Sequence, residues 1–284
     1  MTKRIALISD IHGNQTALEA VIDDLHKHPV DETWFLGDLL GPGPATDVLF
    51  DLLEQVNTTI FLNGNWDTDC FLPVLNAPET IDTTSPKWVY LGRVGQYIGE
   101  HITTEHLAIM QNAPIHAEIA QGPLNLSLNH NLPDVARGRD LEVAADTNAF
   151  APLFTNESVD IAVYAHVHHQ LLRYSTDDRL IINPGAVGEP YFNHPRLNAD
   201  RRAQYAILTL DEQGMADVEF RKVTYDIPTE LARARVANLP YYELYQELLE
   251  SGISHTNESD YLIQFDTDGH YTAELETFLN QQRQ

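Results

Sequence analysis

Residues 4–14 read Arg-Ile-Ala-Leu-Ile-Ser-Asp-Ile-His-Gly-Asn. Arg4 to Ser9 is mostly apolar and alternates poorly, as expected of a strand buried on both faces of a parallel sheet. Asp10-Ile-His-Gly-Asn14 is then a loop at the carboxyl end of that strand, carrying a carboxylate and an imidazole two positions apart. From Thr16 to His26, residues Ala17, Leu18, Val21, Ile22 and Leu25 recur at helical spacing. Strand, polar loop and helix make the first part of a β-α-β unit.

The next segments extend it. Thr33 to Leu36 predicts a strand ending at Gly37-Asp38. Gly41-Pro-Gly-Pro44 leads into a helix around Asp47 to Gln55, and Thr58 to Leu62 predicts a third strand ending at Asn63-Gly-Asn-Trp-Asp67. This β-α-β-α-β order predicts parallel pairing with right-handed crossovers. Residues 71–122 change character and predict a helical insertion, with helices over Lys87 to Glu100 and Thr104 to Gln111. Alternation returns at Leu124, Leu126 and Leu128, up to His130. Asp160 to Ala165 predicts a strand ending at His166, and Leu171 to Tyr174 and Leu180 to Ile182 flank a hairpin signal at Asp177-Asp178. Tyr205 to Leu210 and Ala216 to Val223 form a last strand pair. From Pro228 onward the pattern predicts helices over Leu231 to Asn238 and Tyr241 to Glu250, followed by a polar end with no assignable element.

Composition narrows the function. The 284 residues suit one large domain, or one domain with an appendage. No apolar run approaches the ~20 residues of a membrane span. Cys70 is the single cysteine, so no intrachain disulfide forms, and a cytoplasmic location is expected. Acidic residues number 42 against 17 basic, a net charge of −25. Such a surface repels the backbone of long nucleic acids. It would also repel a phosphate substrate unless local cations reverse the field.

The polar residues at predicted strand ends suggest where those cations sit. In order they are Asp10 and His12, Asp38, Asn65 and Asp67, His130, then His166 and His168. Open α/β sheets place their sites at the carboxyl ends of strands, so these groups can converge. Each piece alone is ordinary: a Gly-Asp or an Asn-Gly-Asn is usually a turn. Together, carboxylate, imidazole and amide oxygen make a mixed donor set suited to divalent transition metals. In Val163-Tyr-Ala-His-Val-His-His169, strand alternation puts His166 and His168 on one side and His169 on the other.

These pieces resemble the calcineurin-like metallophosphoesterase superfamily, whose signature runs D-x-H, G-D, G-N-H-D/E, a lone His, then G-H-x-H. Here they stand as Asp10-Ile-His12, Gly37-Asp38, Gly64-Asn65-Trp66-Asp67, His130 and Ala165-His166-Val-His168, over roughly residues 4–225. Asn183-Pro-Gly-Ala-Val-Gly188 and Arg202-Ala-Gln-Tyr-Ala206 are similar to later family segments. Gly37-Asp-Leu-Leu-Gly-Pro-Gly-Pro44, the Gly-Asn-Trp variant and Leu239-Pro-Tyr-Tyr242 resemble bacterial asymmetrical diadenosine tetraphosphate hydrolases more closely. The resemblance implies a four-layer αββα sandwich. It also implies a catalytic domain over 1–225 with an insertion at about 71–122, and a helical extension over 226–284 on the same domain. It implies two divalent transition metals, manganese or iron, with zinc as an alternative. Asp10, His12 and His168 would hold one, Asn65, His130 and His166 the other, and Asp38 would bridge them. Asp38, Asn65 and His130 would be catalytic. Asn14, Trp66, Asp67, His194 and Arg202 are the candidate substrate contacts, Asn14 being equally readable as a helix cap. The partner implied is a nucleotide or other small phosphate compound, with no membrane; the tail would cap the site or pair subunits.

Trp66 departs from the pattern, standing where the family has a histidine often assigned as general acid. A serine or tyrosine phosphate expels a basic oxygen and benefits from an acid. A nucleotide polyphosphate expels a phosphate oxygen whose last pKa is only about 6, and an indole can stack on a base. The expectation is therefore asymmetric hydrolysis of diadenosine tetraphosphate to ATP and AMP. The alternatives are a phosphodiesterase on cyclic nucleotides or other small diesters, a serine/threonine-type protein phosphatase, and a non-enzymatic interaction scaffold.

Overall fold

The computed structural model describes residues 2–283. It opens with β1 (Lys3–Ile8), α1 (Gln15–Leu25), β2 (Glu32–Phe35), α2 (Asp47–Gln55) and β3 (Thr58–Phe61). The three strands are parallel neighbours, β1 against β2 and β2 against β3. A π-helical turn, Trp66–Phe71, leads to α3 (Leu72–Asn76), α4 (Pro86–His101) and α5 (Thr104–Asn112). Then come β4 (His116–Gln121), β5 (Leu124–Asn129), β6 (Ile161–Val163), β7 (Gln170–Tyr174), β8 (Leu180–Pro184), β9 (Ala203–Leu210) and β10 (Ala216–Val223). The chain ends with α6 (Ile227–Val236), α7 (Tyr242–Ser251), α8 (Ser259–Leu262) and α9 (His270–Gln282).

The strands make two five-stranded mixed sheets, ordered β10-β9-β1-β2-β3 and β4-β5-β6-β8-β7. Side-chain alternation assigns the layers. Ile5 and Leu7 of β1 point between the sheets, where they meet Leu126, Leu128, Ile161 and Val163 of the second sheet. Ala6 and Ile8 point outward under α1, α2, α4, α6 and α7. On the second sheet, Ala162 and Tyr164 point outward to a thinner layer around the 3₁₀ segment Thr147–Leu153, through Phe150 and Leu153. Full burial of side chains such as Leu7 and Leu128 contributes roughly 1.5–3 kcal/mol each. The inter-sheet core thus holds the strand ends in fixed positions.

The structure corrects the sequence reading in the insertion and in the tail. Residues 71–122 are not helical throughout: His116–Gln121 is an edge strand paired antiparallel with β5. Its inward residues, Ala117 and Ile119, are only two and only partly buried, so the alternation is faint. The polar end of the chain contains α9, whose Leu275, Phe278 and Leu279 pack on Val74 and Ile81 of the insertion. Insertion and tail therefore form one cluster beside the sheets. No helix among the described residues is long and apolar enough to cross a membrane.

Candidate metal centre

The strand ends lead into loops whose backbones are unusual. Asp10, His12, Asp38, His166 and His168 have positive φ, at 53°, 54°, 56°, 64° and 54°. A left-handed conformation costs a non-glycine residue roughly 1–2 kcal/mol, so it persists only where surroundings impose it. Backbone hydrogen bonds do so here. The Asp10 N–H donates to Gly37 O at 2.9 Å and the His12 N–H to Asp38 O at 3.0 Å, lacing the first loop to the second. The Gly188 N–H donates to Asp10 O at 2.8 Å, and the Ala165 N–H to His130 O at 2.8 Å. Strand β6 ends at Val163, so His166 and His168 lie on a loop, not on a strand as alternation suggested. Gly64 supplies the close approach: a Cβ there would sit 2.1 Å from Asp38 Oδ1.

Each of the four histidines has one ring nitrogen against a backbone carbonyl. His12 Nδ1 meets Gly41 O at 2.8 Å, His130 Nδ1 meets Leu36 O at 2.8 Å, and His168 Nδ1 meets Glu189 O at 2.7 Å. His166 uses the other nitrogen, Nε2, on Gly138 O at 2.9 Å. A carbonyl only accepts, so these contacts assign the proton and aim the opposite nitrogen's lone pair inward, as metal-ligating histidines require.

The inward atoms crowd together. Ligand atoms of Asp10, His12, Asp38 and His168 lie within 4.8 Å of one another, and so do those of Asp38, His130 and His166. Asp38 belongs to both groups. Asn65 Oδ1 adds a further donor 3.2 Å from His130 Nε2. His12 Nε2 and His168 Nε2 face one another at 3.1 Å, so a proton, or a metal cation in its place, lies between the two nitrogens. Both Asp10 carboxylate oxygens, and Oδ2 of Asp38, are buried with no hydrogen-bond partner among the described residues. Their nearest partners are the other candidate ligands, with His168 Nε2 3.3 Å from Asp10 Oδ1 and His130 Nε2 3.5 Å from Asp38 Oδ2, and buried charge of this kind is paired or coordinates metal. The residues present therefore fit divalent cations.

Proton affinities report the same field. Burial disfavours charge on His130 and His168, but the Asp38 and Asp10 carboxylates beside them outweigh it and push both imidazoles up to about 9. Burial likewise opposes ionisation of Asp10 and Asp38, yet His168 and His130 hold them below the usual carboxylate range. His166 moves down to about 4, through burial and then the neighbouring His130. The centre attracts positive charge, and a bound dication would take the place of those protons.

The candidate substrate contacts separate. Trp66 lines the cleft above the centre, its ring edge-on to His12 at 5.7 Å, while its N–H on the backbone donates to Asp38 Oδ1 at 2.8 Å. Asp67 is fully buried, and its Oδ2 accepts from the backbone N–H groups of Asp38 (2.9 Å) and Gly64 (2.8 Å). It shapes the loops that hold Asp38 and is out of a substrate's reach. Burial and then Asp38 push its pKa up to about 7. Asn14 is buried and caps α1, accepting from the Ala17 N–H at 3.0 Å. Arg202 is exposed and tied to Asp200 at 2.7 Å, and His194 is exposed; neither lines the cleft.

Other residues line it instead. The cleft, of about 490 Å³, runs from Asp38 and His168 past Lys87, Trp88 and Arg201 to the tail residues Leu248 and Asn257. Sequence reading passed over Arg201, the immediate neighbour of Arg202, because only the loop's conformation decides which of the two guanidinium groups faces the cleft.

Comparison with known proteins agrees with this geometry. Residues 4–213 match the family model described as the calcineurin-like phosphoesterase superfamily domain. An uncharacterized protein of Methanocaldococcus jannaschii is 26% identical over 236 residues, covering 78% of this chain and 88% of that protein. The crystal structure of a metallophosphoesterase from Sphaerobacter thermophilus aligns with a TM-score of 0.63 at 26% identity, over 88% of this chain and 100% of that one. A hypothetical protein of Pyrococcus horikoshii shares the fold, with a TM-score of 0.69 at 18% identity, over 88% of this chain and 99% of that one.

Proposed function

The chain belongs to the calcineurin-like phosphoesterase superfamily, and from that premise we propose that it hydrolyses dinucleoside polyphosphates at a dinuclear centre, cutting diadenosine tetraphosphate asymmetrically to ATP and AMP. Family and clustered ligands together make it a metal-dependent phosphoester hydrolase acting on a small phosphate-containing substrate. The finer reading assigns Asp10, His12 and His168 to one cation and Asn65, His130 and His166 to the other, with Asp38 between them. Nitrogen and oxygen donors without sulfur suit manganese or iron, with zinc as the alternative. Two divalent cations held by these residues would supply positive charge for the phosphoryl oxygens and lower the pKa of water.

The protein's own groups orient and exclude. The carbonyls of Leu36, Gly41, Gly138 and Glu189 fix four imidazole rings. Asp67 holds the backbone amides of Asp38 and Gly64, keeping the Asp38 carboxylate over Gly64. Trp66 closes one side of the cleft and carries no titratable proton. That last observation carries the substrate reading: with no acid at this position, the favoured leaving group is one that departs as an anion unaided, as a nucleotide phosphate does. The test is a hydrolysis panel with manganese and product identification, comparing dinucleotides, cyclic nucleotides, a nitrophenyl diester and a phosphopeptide. ATP plus AMP from diadenosine tetraphosphate, at the highest kcat/KM, is the expected result. A preference for the phosphopeptide would overturn it.

A further inference from the structure

Beside the metal centre, the cleft wall carries two cations that close no ion pair among the described residues. Arg201 sits in the loop before β9, and Lys87 at the start of α4. Among the described residues, no carboxylate comes within 4.0 Å of either, although the chain has 42 acidic and 17 basic residues. Several other arginines do find a carboxylate. Arg202 pairs with Asp200, Arg221 with Asp24, and Arg137, in the same cleft, with Asp69 at 3.4 Å. Glu189 also lines the cleft, but it closes an ion pair with neither cation and has a buried oxygen without a hydrogen-bond partner.

Both cations are held in place by neutral groups. One Arg201 nitrogen, Nη2, donates to Pro190 O and to Asn198 Oδ1, the latter at 2.8 Å. Its Nε is buried with no partner among the described residues. The guanidinium lies against Gly252, the left-handed C-cap of α7 (φ 74°), where a Cβ would meet Nη1 at 2.1 Å. Burial lowers the pKa of Arg201, and the more distant Tyr225, Glu189 and Asp200 offset this only in part. Lys87 Nζ donates to Asn257 Oδ1 at 2.6 Å, so the tail positions this amine as well. Neutral carbonyl and amide acceptors orient a cation without cancelling its charge. They leave it able to bind an anion, Arg through its planar fork and Lys as a point charge.

A phosphodiester with one phosphate carries one negative charge, which the metal centre meets alone. A phosphoanhydride chain carries further charge away from the bond being cut. We propose that Arg201 and Lys87 form a subsite for a second phosphate of the substrate, making the substrate class one with at least two linked phosphates. The inference rests on the phosphohydrolase reading of the neighbouring centre and adds the residues that select among its substrates. It also gives the tail a role, because Gly252 leaves room for the Arg201 guanidinium and Asn257 accepts from Lys87.

Equilibrium binding separates this from hydrolysis. Manganese-loaded protein, dialysed free of excess metal, is titrated calorimetrically with orthophosphate and with methylenediphosphonate, which carries two linked phosphorus groups and is not cleaved. Wild type should bind the diphosphonate more tightly. Arg201→Gln and Lys87→Gln should each weaken it roughly tenfold, the loss of one charge-assisted contact, while orthophosphate binding and manganese content change little. Arg201→Lys should retain an intermediate affinity. Unchanged diphosphonate binding in both glutamine variants overturns the subsite, as do parallel losses for both probes. Lys87 stands at a helix start, so its variant decides the matter if Arg201→Gln disturbs the loop. If the binding pattern appears but the hydrolysis panel shows no activity on dinucleotides, the subsite stands and the diadenosine tetraphosphate reading falls.

Discussion

The two sides of the cleft are built differently. On the centre side, seven candidate ligands lie within a few residues of strand ends, their loops hydrogen-bonded to one another, five of them in left-handed conformations. On the far side, Lys87, Trp88, Arg201, Leu248 and Asn257 come from an insertion, a loop and a tail. They meet because the tail packs on the insertion: α7 shares a core with α4, and α9 sets Leu275 against Gly92. Chemistry needs fixed positions, and the centre is tied to the sheets. Selection among substrates needs only a surface of the right shape and charge, and the wall is assembled from parts joined by side-chain packing. Changes at the centre should therefore abolish turnover, and changes in the wall should alter which substrate is preferred.

Asp38→Asn gives the largest effect expected. The substitution keeps the shape and removes the charge shared by both ligand groups. Activity on every substrate should fall by roughly a thousandfold or more, as when a group shared by both metals is lost, and metal content should fall with it. Metal analysis and kcat on a nitrophenyl diester check this together. A variant keeping both metals and most of its turnover would remove Asp38 from the bridging position and erase the contrast between the two sides.

The contrast also explains what the sequence made legible. Strand ends follow from apolar runs of four to six residues, and a polar residue just beyond such a run is visible as a candidate ligand. Convergence follows from the parallel arrangement, because all carboxyl ends face one way. The reason those side chains can act as ligands is not visible, since it lies in carbonyls distant in sequence: Leu36 for His130, Glu189 for His168, Gly138 for His166. Asp67 reads as a site residue by its motif, yet its oxygen serves two backbone amides. The wall was nearly unreadable. Leu275, Phe278 and Leu279 do carry helical spacing, but within a polar stretch too short to declare a face. Arg201 and Arg202 are adjacent and chemically identical, and only the fold tells the cleft-lining one from the one bound to Asp200.

Trp66 lies where the two sides meet. Trp66→Ala should raise KM for a dinucleotide roughly tenfold, since stacking on a base is worth about 1–3 kcal/mol. KM for a nitrophenyl diester should hardly move. Trp66→His should raise activity on monoesters with basic leaving groups relative to wild type. Steady-state kinetics on the three substrates, with metal content matched, checks both variants. Equal losses throughout would make Trp66 a packing residue of the centre.

Leu275→Ala probes the wall from behind. Leu275 is fully buried against Gly92 and belongs to the cluster on which Trp88 packs. Truncation should cost about 2–5 kcal/mol of stability, the usual range for a buried leucine, read as a lowered Tm or denaturant midpoint. Among molecules still folded, KM for a polyphosphate should rise a few-fold while kcat on the nitrophenyl diester stays near wild type. A loss of kcat matching the rise in KM would show that the wall supports the centre too, and the two sides would have to be treated as one unit.

His169→Ala is the smallest effect and the sharpest control, because its neighbour His168 is a candidate ligand. His169 is half-buried, and its ring meets Phe192 edge-on at 4.7 Å, away from both ligand groups. Burial lowers its pKa, so the ring is neutral near pH 7 and adds no charge to the cleft. Removing it should cost only an aromatic contact of about 0.5–1.5 kcal/mol, with kcat and KM within about twofold of wild type on every substrate. The backbone at this point is a loop with left-handed residues at His166 and His168. A large loss of activity or metal would therefore mean that this loop adopts a second conformation in which His169 turns inward. That outcome would weaken the claim that the centre side is rigid, which no substitution in the wall can test.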